Sequence, residues 1–236
     1  MSFLKAEWRR LALLNYEVDA KVLEPFLPYK TELDTWNNTH YVSLVGFMFL
    51  NTRVLGFKMP YHINFEEINL RFYVKHHDGE QWKRGVVFIR EIVPKPLITF
   101  VANTWYNEHY ATRKMFHDWL DSEDIRETTY GYWEGDRKQQ FTLKTSMDSQ
   151  PIPVGSETEF ITEHYWGYSA MSEFRTTEYE VTHPRWEAYA VDDYSIDFDF
   201  GLAYGEHWSF LNENRPLSAM LAEGSAITVE SKSVIK

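Results

Sequence analysis

The chain is predicted to be a β-rich α+β domain with few helices. Three observations carry this reading. Apolar runs of strand length recur at short intervals, broken by Gly, Pro, Asn and Asp. Aromatic residues form 17% of the 236 positions, with 16 Phe, 15 Tyr and 9 Trp, which suits pleated surfaces and bulky core layers. The stretch Phe65–Val74 alternates cleanly, with Ile68, Leu70, Phe72 and Val74 on one face and Glu67, Asn69, Arg71 and Tyr73 on the other.

The remaining elements follow in order. Leu11 to Val18 reads as a strand. Asp19 then caps a short helix ending at Glu24, with Pro25 as its stop. Leu27-Pro28-Tyr29 and the Asn-rich stretch from Asp34 to Thr39 read as turns. Tyr41 to Leu50 is apolar on both faces, the mark of a strand covered on both sides. Gly56 and Pro60 punctuate the loop before the alternating strand, and Asp78-Gly79 ends that strand in a turn. Gly85 to Val93 is a second strand apolar on both faces. The period changes at Pro96, where Leu97, Ile98, Val101 and Trp105 recur at helical spacing, so Pro96 to Trp105 is expected to be the principal buried helix. Tyr110 to Phe116 is strand-like, and His117 to Asp124 is a polar connection. Ile125–Trp133 and Lys138–Lys144 flank Glu134-Gly135-Asp136 as a hairpin. Ser156 and Glu159 have capping-box spacing and open a short helix running to Glu163. Further strands are expected near Glu173–Thr182, Glu187–Phe200 and Ala226–Ser233. No repeat, low-complexity tract or linker interrupts the chain, so residues 1–236 read as a single domain.

Composition narrows the function. The net charge of −11, with only 24 scattered Lys and Arg, disfavours a nucleic-acid surface. With no cysteine, thiolate catalysis, disulfides and Cys-ligated zinc are excluded, which fits a reducing cytoplasm. No apolar run reaches the length of a membrane span, and the charged N-terminal residues do not form a signal peptide. The histidines, among them His76, His77, His109, His117, His164, His183 and His207, lack metal-ligand spacing, and no metal is expected. Neither a phosphate-cradling Gly-rich loop nor a Gly-x-Ser-x-Gly elbow is present, and no cofactor is expected.

The chemistry-bearing candidates lie on the polar face of the alternating strand. Arg71 suits a ligand carboxylate or keto oxygen, Glu67 a proton, and Asn69 lies between them. The same pair read structurally is an ion pair that fixes strand register. Periodicity alone favours an outer strand whose polar face meets water. Glu66, near the strand start, is placed at a rim. Tyr73 and Trp186 are candidate ligand walls, along with Tyr130, Tyr132, Trp133, Trp166 and Tyr168, although such aromatics more often fill a core.

Several blocks together resemble the YqjF-like bacterial family of unknown function: Leu27-Pro28, Tyr41 to Phe47, Phe65 to Val74, Gly85 to Phe88, Phe160 to Tyr165, and His183 to Trp186. That family is grouped with acetoacetate-decarboxylase-like folds. The resemblance implies an antiparallel, cone-like barrel with a few peripheral helices, and it moves the polar face of Phe65–Val74 to the barrel interior. In the decarboxylases a lysine forms a Schiff base with a keto acid and a second lysine lowers its pKa. The matching region here is Tyr110 to Met115, where Arg113-Lys114 stands in place of the lysine pair and His109 replaces a usual proline. Guanidinium cannot form the imine, and adjacent strand residues face opposite ways. The expected function is therefore small-molecule binding, with a small carboxylate or keto acid as ligand and Glu67, Asn69 and Arg71 in the pocket. Two alternatives stand beside it. One is a Schiff-base decarboxylase or lyase with Lys114 as nucleophile, Arg113 as its modulator and Glu67 as proton handler. The other is a structural scaffold that self-associates as a homo-oligomer.

Overall fold

A computed structural model describes residues 2–58 and 60–236. Strand β1 (Ser2–Val18) leads through helix α1 (Ala20–Leu23), a 3₁₀ turn and the short β2 (Glu32–Leu33) into three long strands. These are β3 (His40–Val54), β4 (Phe65–His77) and β5 (Trp82–Val93). Helix α2 (Pro96–Val101) continues as a π-helical turn over Ala102–Tyr106, followed by β6 (Tyr110–Thr112), β7 (Lys114–Asp121), β8 (Ile125–Glu134) and β9 (Arg137–Pro151). Then come α3 (Glu157–Thr162), β10 (Trp166–Ser172), β11 (Arg175–Thr182) and β12 (Glu187–Asp197). Helix α4 (Phe200–Tyr204) and a 3₁₀ segment over Glu206–Asn212 precede β13 (Ser218–Glu230) and β14 (Ser233–Ile235).

Strands β11, β10, β5, β4, β3, β1 and β13 form a ring. It closes where β13 returns to β11, with Val181 opposite Val229 and Thr182 opposite Thr228. The expected barrel is present, but its sheet is mixed rather than wholly antiparallel. Strand β10 joins β5 in parallel, Trp166 opposite Gly85 and Gly167 opposite Val86, and β6 also runs parallel to β5. A long crossover separates β5 from β10, and such connections permit parallel neighbours where hairpins cannot. Strand β13 forks, since it also pairs with β12 through Ala188–Ala222 and Tyr189–Leu221. From there β12, β9, β8 and β7 continue as a second leaf.

The leaf packs on the outer face of the ring. A Cβ on Gly46 of β3 would stand 2.8 Å from ring atoms of both Phe141 and Tyr130, so only glycine permits this approach. Strand alternation thus divides the apolar side chains into two cores. On β4, Ile68, Leu70, Phe72 and Val74 join Leu14, Leu44, Tyr130, Tyr132, Phe141 and Leu143 between ring and leaf. Phe65 and Tyr73 join Leu11, Leu13, Phe47, Phe160 and Trp186 inside the ring. Both faces of β3 and β5 are covered for the same reason, which accounts for their double apolar pattern.

Two expectations are corrected. Pro96–Trp105 is not a buried helix: its α-helical part has no buried residue, and Leu97, Phe100 and Trp105 are exposed by 42%, 66% and 54%. Its apolar stripe lies across the mouth of a cavity instead of under a sheet. His117 to Asp121 is not a connection but most of β7, paired antiparallel with β8. Being an edge strand of the leaf, β7 tolerates the polar residues that suggested a loop. By contrast, α3 starts as the spacing indicated: the Ser156 side chain accepts a hydrogen bond from the Glu159 amide. Among the described residues no helix is long and apolar enough to cross a membrane.

Candidate binding site

The interior of the ring holds a cavity of about 450 Å³, a size usual for small-molecule sites. Apolar and aromatic side chains form most of its wall, among them Phe3, Trp8, Phe49, Phe65, Ile98 and Trp186. Polar groups reach it from several segments. Strand β4 supplies Glu67, Asn69 and Arg71, β5 supplies Glu91, and the chain around β6 supplies Glu108 and Tyr110. Strand β11 adds Tyr179, and the loops flanking β10 and β11 add His164 and His183.

Glu91 reaches the cavity because β5 carries a bulge. Leu70 pairs with Arg90 but Arg71 pairs with Phe88, leaving Ile89 as the extra residue. The alternation flips there: Val86 and Phe88 face inward before the bulge, and Glu91 and Val93 after it. Asn69, Glu91 and Tyr110 then stand in one row, opposite one another across β4, β5 and β6. Side chains so placed are within reach of each other. Asn69 Nδ2 donates to Glu67 Oε1 at 3.0 Å, and the Tyr110 hydroxyl donates to Glu67 Oε2 at 3.2 Å. Beside them the Tyr179 hydroxyl donates to Glu108 Oε1 at 2.9 Å.

The three carboxyls are buried and their protonated forms are favoured. Burial pushes Glu67 up to about 7, against the opposing pull of Asn69, Tyr110 and Arg71. Burial pushes Glu108 up to about 8, with Glu67 adding to the rise and Tyr179 opposing it. Glu91 is held well above the usual carboxylate range by burial and then by Glu108 and Glu67. The three titrate as a set. Burial also lowers His164 to about 4 even though its Nε2 is bonded to Asp34 Oδ2 at 3.2 Å, so its ring is neutral.

Arg71 has a different character. Among the described residues it forms no ion pair, so the register-fixing pair with Glu67 is not made. Its Nη2 donates to the Ile161 carbonyl at 3.3 Å, while its Nε is buried without a hydrogen-bond partner. Asn69 Oδ1 and Glu91 Oε2 are likewise buried and unpartnered.

The other candidates are placed as follows. Trp186 is on the cavity wall, its Nε1 donating to Ser225 Oγ at 2.8 Å and its ring stacked on His183. Tyr73 is buried beyond the cavity, its hydroxyl 2.7 Å from Ser43 Oγ, which in turn donates to Asn15 Oδ1 at 2.6 Å. Tyr73→Phe should therefore cost about 1 kcal/mol of unfolding free energy in urea titrations and leave ligand affinity unchanged. Arg113 is outside the cavity, bound through Nε to Glu134 Oε2 at 2.6 Å. Lys114 is exposed and pairs with Trp133. Strand β6 ends at Thr112, so the chain has left the ring for the leaf before Lys114 is reached. No lysine lines the cavity among the described residues. Glu66 faces outward, where a 2.7 Å hydrogen bond joins its Oε1 to His117 Nδ1.

Glu91, Glu108, Tyr110 and Tyr179 were not among the residues that sequence pattern singled out. Glu91 sits in a run that reads as apolar on both faces, and only the bulge turns it inward. Glu108 and Tyr110 flank His109 in a segment without periodicity, and Tyr179 reads as an ordinary strand aromatic.

A closed ring of strands with an interior cavity and outlying helices defines an acetoacetate-decarboxylase-like fold. Solved structures agree. Acetoacetate decarboxylase from Legionella pneumophila superposes with a TM-score of 0.67 at 11% identity, over 99% of this chain and 87% of that one. The enduracididine biosynthesis enzyme MppR complexed with pyruvate gives 0.68 at 10% identity, over 100% and 91%. An acetoacetate decarboxylase-like enzyme from Sphingomonas wittichii RW1 gives 0.66 at 8% identity, over 100% and 94%. The chain belongs to DUF2071, a family described as an uncharacterized conserved protein, whose model matches residues 5–226. It is also 28% identical over 113 residues to the uncharacterized protein YqjF of Bacillus subtilis (strain 168), a match spanning 48% of this chain and 45% of that one.

Proposed function

We propose that the chain binds a small organic acid in the ring cavity, with the ligand carboxylate on Arg71. One observation carries the reading: Arg71 presents a guanidinium with no carboxylate partner to a largely apolar cavity, and its Nε is unsatisfied. A planar five-donor fork in that state is complementary to a carboxylate. The fold neighbour complexed with pyruvate supports 2-oxo acids as the first probes. The 450 Å³ volume exceeds what pyruvate fills, which favours an acid with a larger apolar body.

The test is a thermal-shift and calorimetric comparison of pyruvate, 2-oxohexanoate and phenylpyruvate. Binding raises the melting temperature by mass action. Arg71→Ala should weaken binding by about 2 kcal/mol, on the order of thirtyfold, since it removes a charge-assisted pair. Equal shifts in parent and variant would overturn the reading.

A second reading, that the bound acid is turned over, is favoured by Glu67. A carboxyl with a pKa of about 7 that accepts from Tyr110 is fitted to exchange a proton with the ligand. Such chemistry here proceeds without a lysine imine, because no lysine lines the cavity among the described residues. Borohydride treatment with each oxo acid should leave the intact mass unchanged. A reduced adduct on any lysine that diminishes with added competing acid would show the opposite.

A further inference from the structure

Arg71 is one of six cavity-lining residues with an unmet hydrogen bond, with Trp8, Thr52, Asn69, Glu91 and His164. Two of these atoms, Asn69 Oδ1 and Glu91 Oε2, belong to residues that stand opposite each other on β4 and β5, next to Arg71 on the same face. Asn69 is 1% exposed and Glu91 2% exposed. Burying such atoms unpaired is costly, and a bound molecule that satisfies them recovers that cost. Asn69 Nδ2 already donates to Glu67, while its Oδ1 has no donor and can accept from a ligand. Arg71, two residues along the same face, offers only donors.

Charge points the same way. Among the described cavity residues Glu67, Glu91 and Glu108 face a single permanent cation, Arg71, because burial keeps His164 neutral and lowers His183. With these carboxyls held protonated, a ligand carboxylate neutralises Arg71. An ammonium on the same ligand then draws Glu91 into its ionised form, and the four charges balance.

Resting on the carboxylate-binding reading above, we infer that the ligand is bipolar: an acid that also carries an ammonium group, its carboxylate on Arg71 and its ammonium on Asn69 Oδ1 and Glu91. Same-face neighbours on a strand are about 7 Å apart, so roughly four or five carbons separate the two groups. On binding, Glu91 gives up its proton to solvent and becomes the carboxylate partner of the ammonium. Glu108, Glu67 and Tyr110, the titratable groups facing Glu91, share in that redistribution.

The experiment compares 5-aminopentanoate with pentanoate on the full chain by calorimetry at pH 7 in two buffers of different ionisation enthalpy. The expected result is at least tenfold tighter binding of 5-aminopentanoate, with proton release seen as a buffer-dependent enthalpy. Glu91→Gln, a near-isosteric change checked by circular dichroism, should bring 5-aminopentanoate down to the affinity of pentanoate. Asn69→Ala should narrow the preference by a smaller factor. Pentanoate binding as tightly as 5-aminopentanoate, with both lost in Arg71→Ala, overturns the ammonium subsite and leaves the carboxylate reading standing. Binding of neither overturns both.

Discussion

The protein is expected to lose stability as the pH rises from about 5 to about 8.5, against the usual behaviour of acidic proteins with paired carboxylates. The sign follows from the cavity. Glu67 is raised from 4.5 to about 7, Glu108 from 4.5 to about 8, and Glu91 higher still. A carboxyl whose folded pKa exceeds its unfolded value binds more protons folded than unfolded, so its contribution is full below the unfolded pKa and drains away up to the folded one. For Glu67 alone that is on the order of 3 kcal/mol. The acid limb runs the other way. His164 is lowered to about 4 and Asp34 to about 2, Asp34 through its hydrogen bonds with His164 and Arg84 outweighing burial. Their contributions fade as pH falls through those values. Between pH 4.5 and 6.5 the three carboxyls outweigh the single opposing His164, so stability should peak near pH 4.5 to 5. Urea titrations across this range test it. Glu91→Gln should flatten the alkaline limb and stabilise the protein at pH 8.5. A parent profile that is level or rising from pH 6 to 8.5 would remove the claim that these three carboxyls are held protonated.

Gly224→Ala should be the most damaging small substitution in the ring, at about 3 kcal/mol or more. Gly224 lies on β13 opposite Arg9 with φ +81°, and a Cβ there would stand 2.1 Å from the Trp8 carbonyl oxygen. The obstacle is backbone and cannot rotate away. The neighbouring turn of β1 is already distorted: Arg10 has φ 50° at a bulge, and the Tyr130 hydroxyl donates to its carbonyl at 2.9 Å. Gly205 provides the control. Its φ is +103° and a Cβ would meet nothing within 4 Å, so Gly205→Ala carries backbone strain without the clash and should cost less, about 1 to 2 kcal/mol. Similar losses for the two variants would show that the Trp8 carbonyl yields, and that the ring is softer at this seam than its geometry implies.

Legibility in the sequence depended on how long a strand kept one period. Strand β4 runs without a bulge, so the two faces of Phe65–Val74 could be assigned residue by residue, and the familial likeness supplied the side that faces inward. Strand β5 breaks its period at Ile89, and with it went Glu91. The Pro96–Trp105 pattern is helical in fact, but its apolar stripe lines a cavity mouth, and periodicity alone does not distinguish a neighbour from an opening. Lys114 looked promising because it follows Arg113 in the matching segment. Its fate was decided by where β6 ends and β7 begins, which depends on pairing partners more than 15 residues away in sequence. Long-range pairing, bulges and cavity walls are tertiary facts, and local pattern does not encode them.

The alternation on β4 has an evolutionary corollary. Positions 68, 70, 72 and 74 anchor the ring to its leaf, whereas 67, 69 and 71 touch the cavity. Substitution in the second set leaves the first intact. A lineage could exchange its interior chemistry wholesale while inheriting the same barrel, and fold neighbours that share only 8 to 11% of their residues with this chain are what such a history would leave behind.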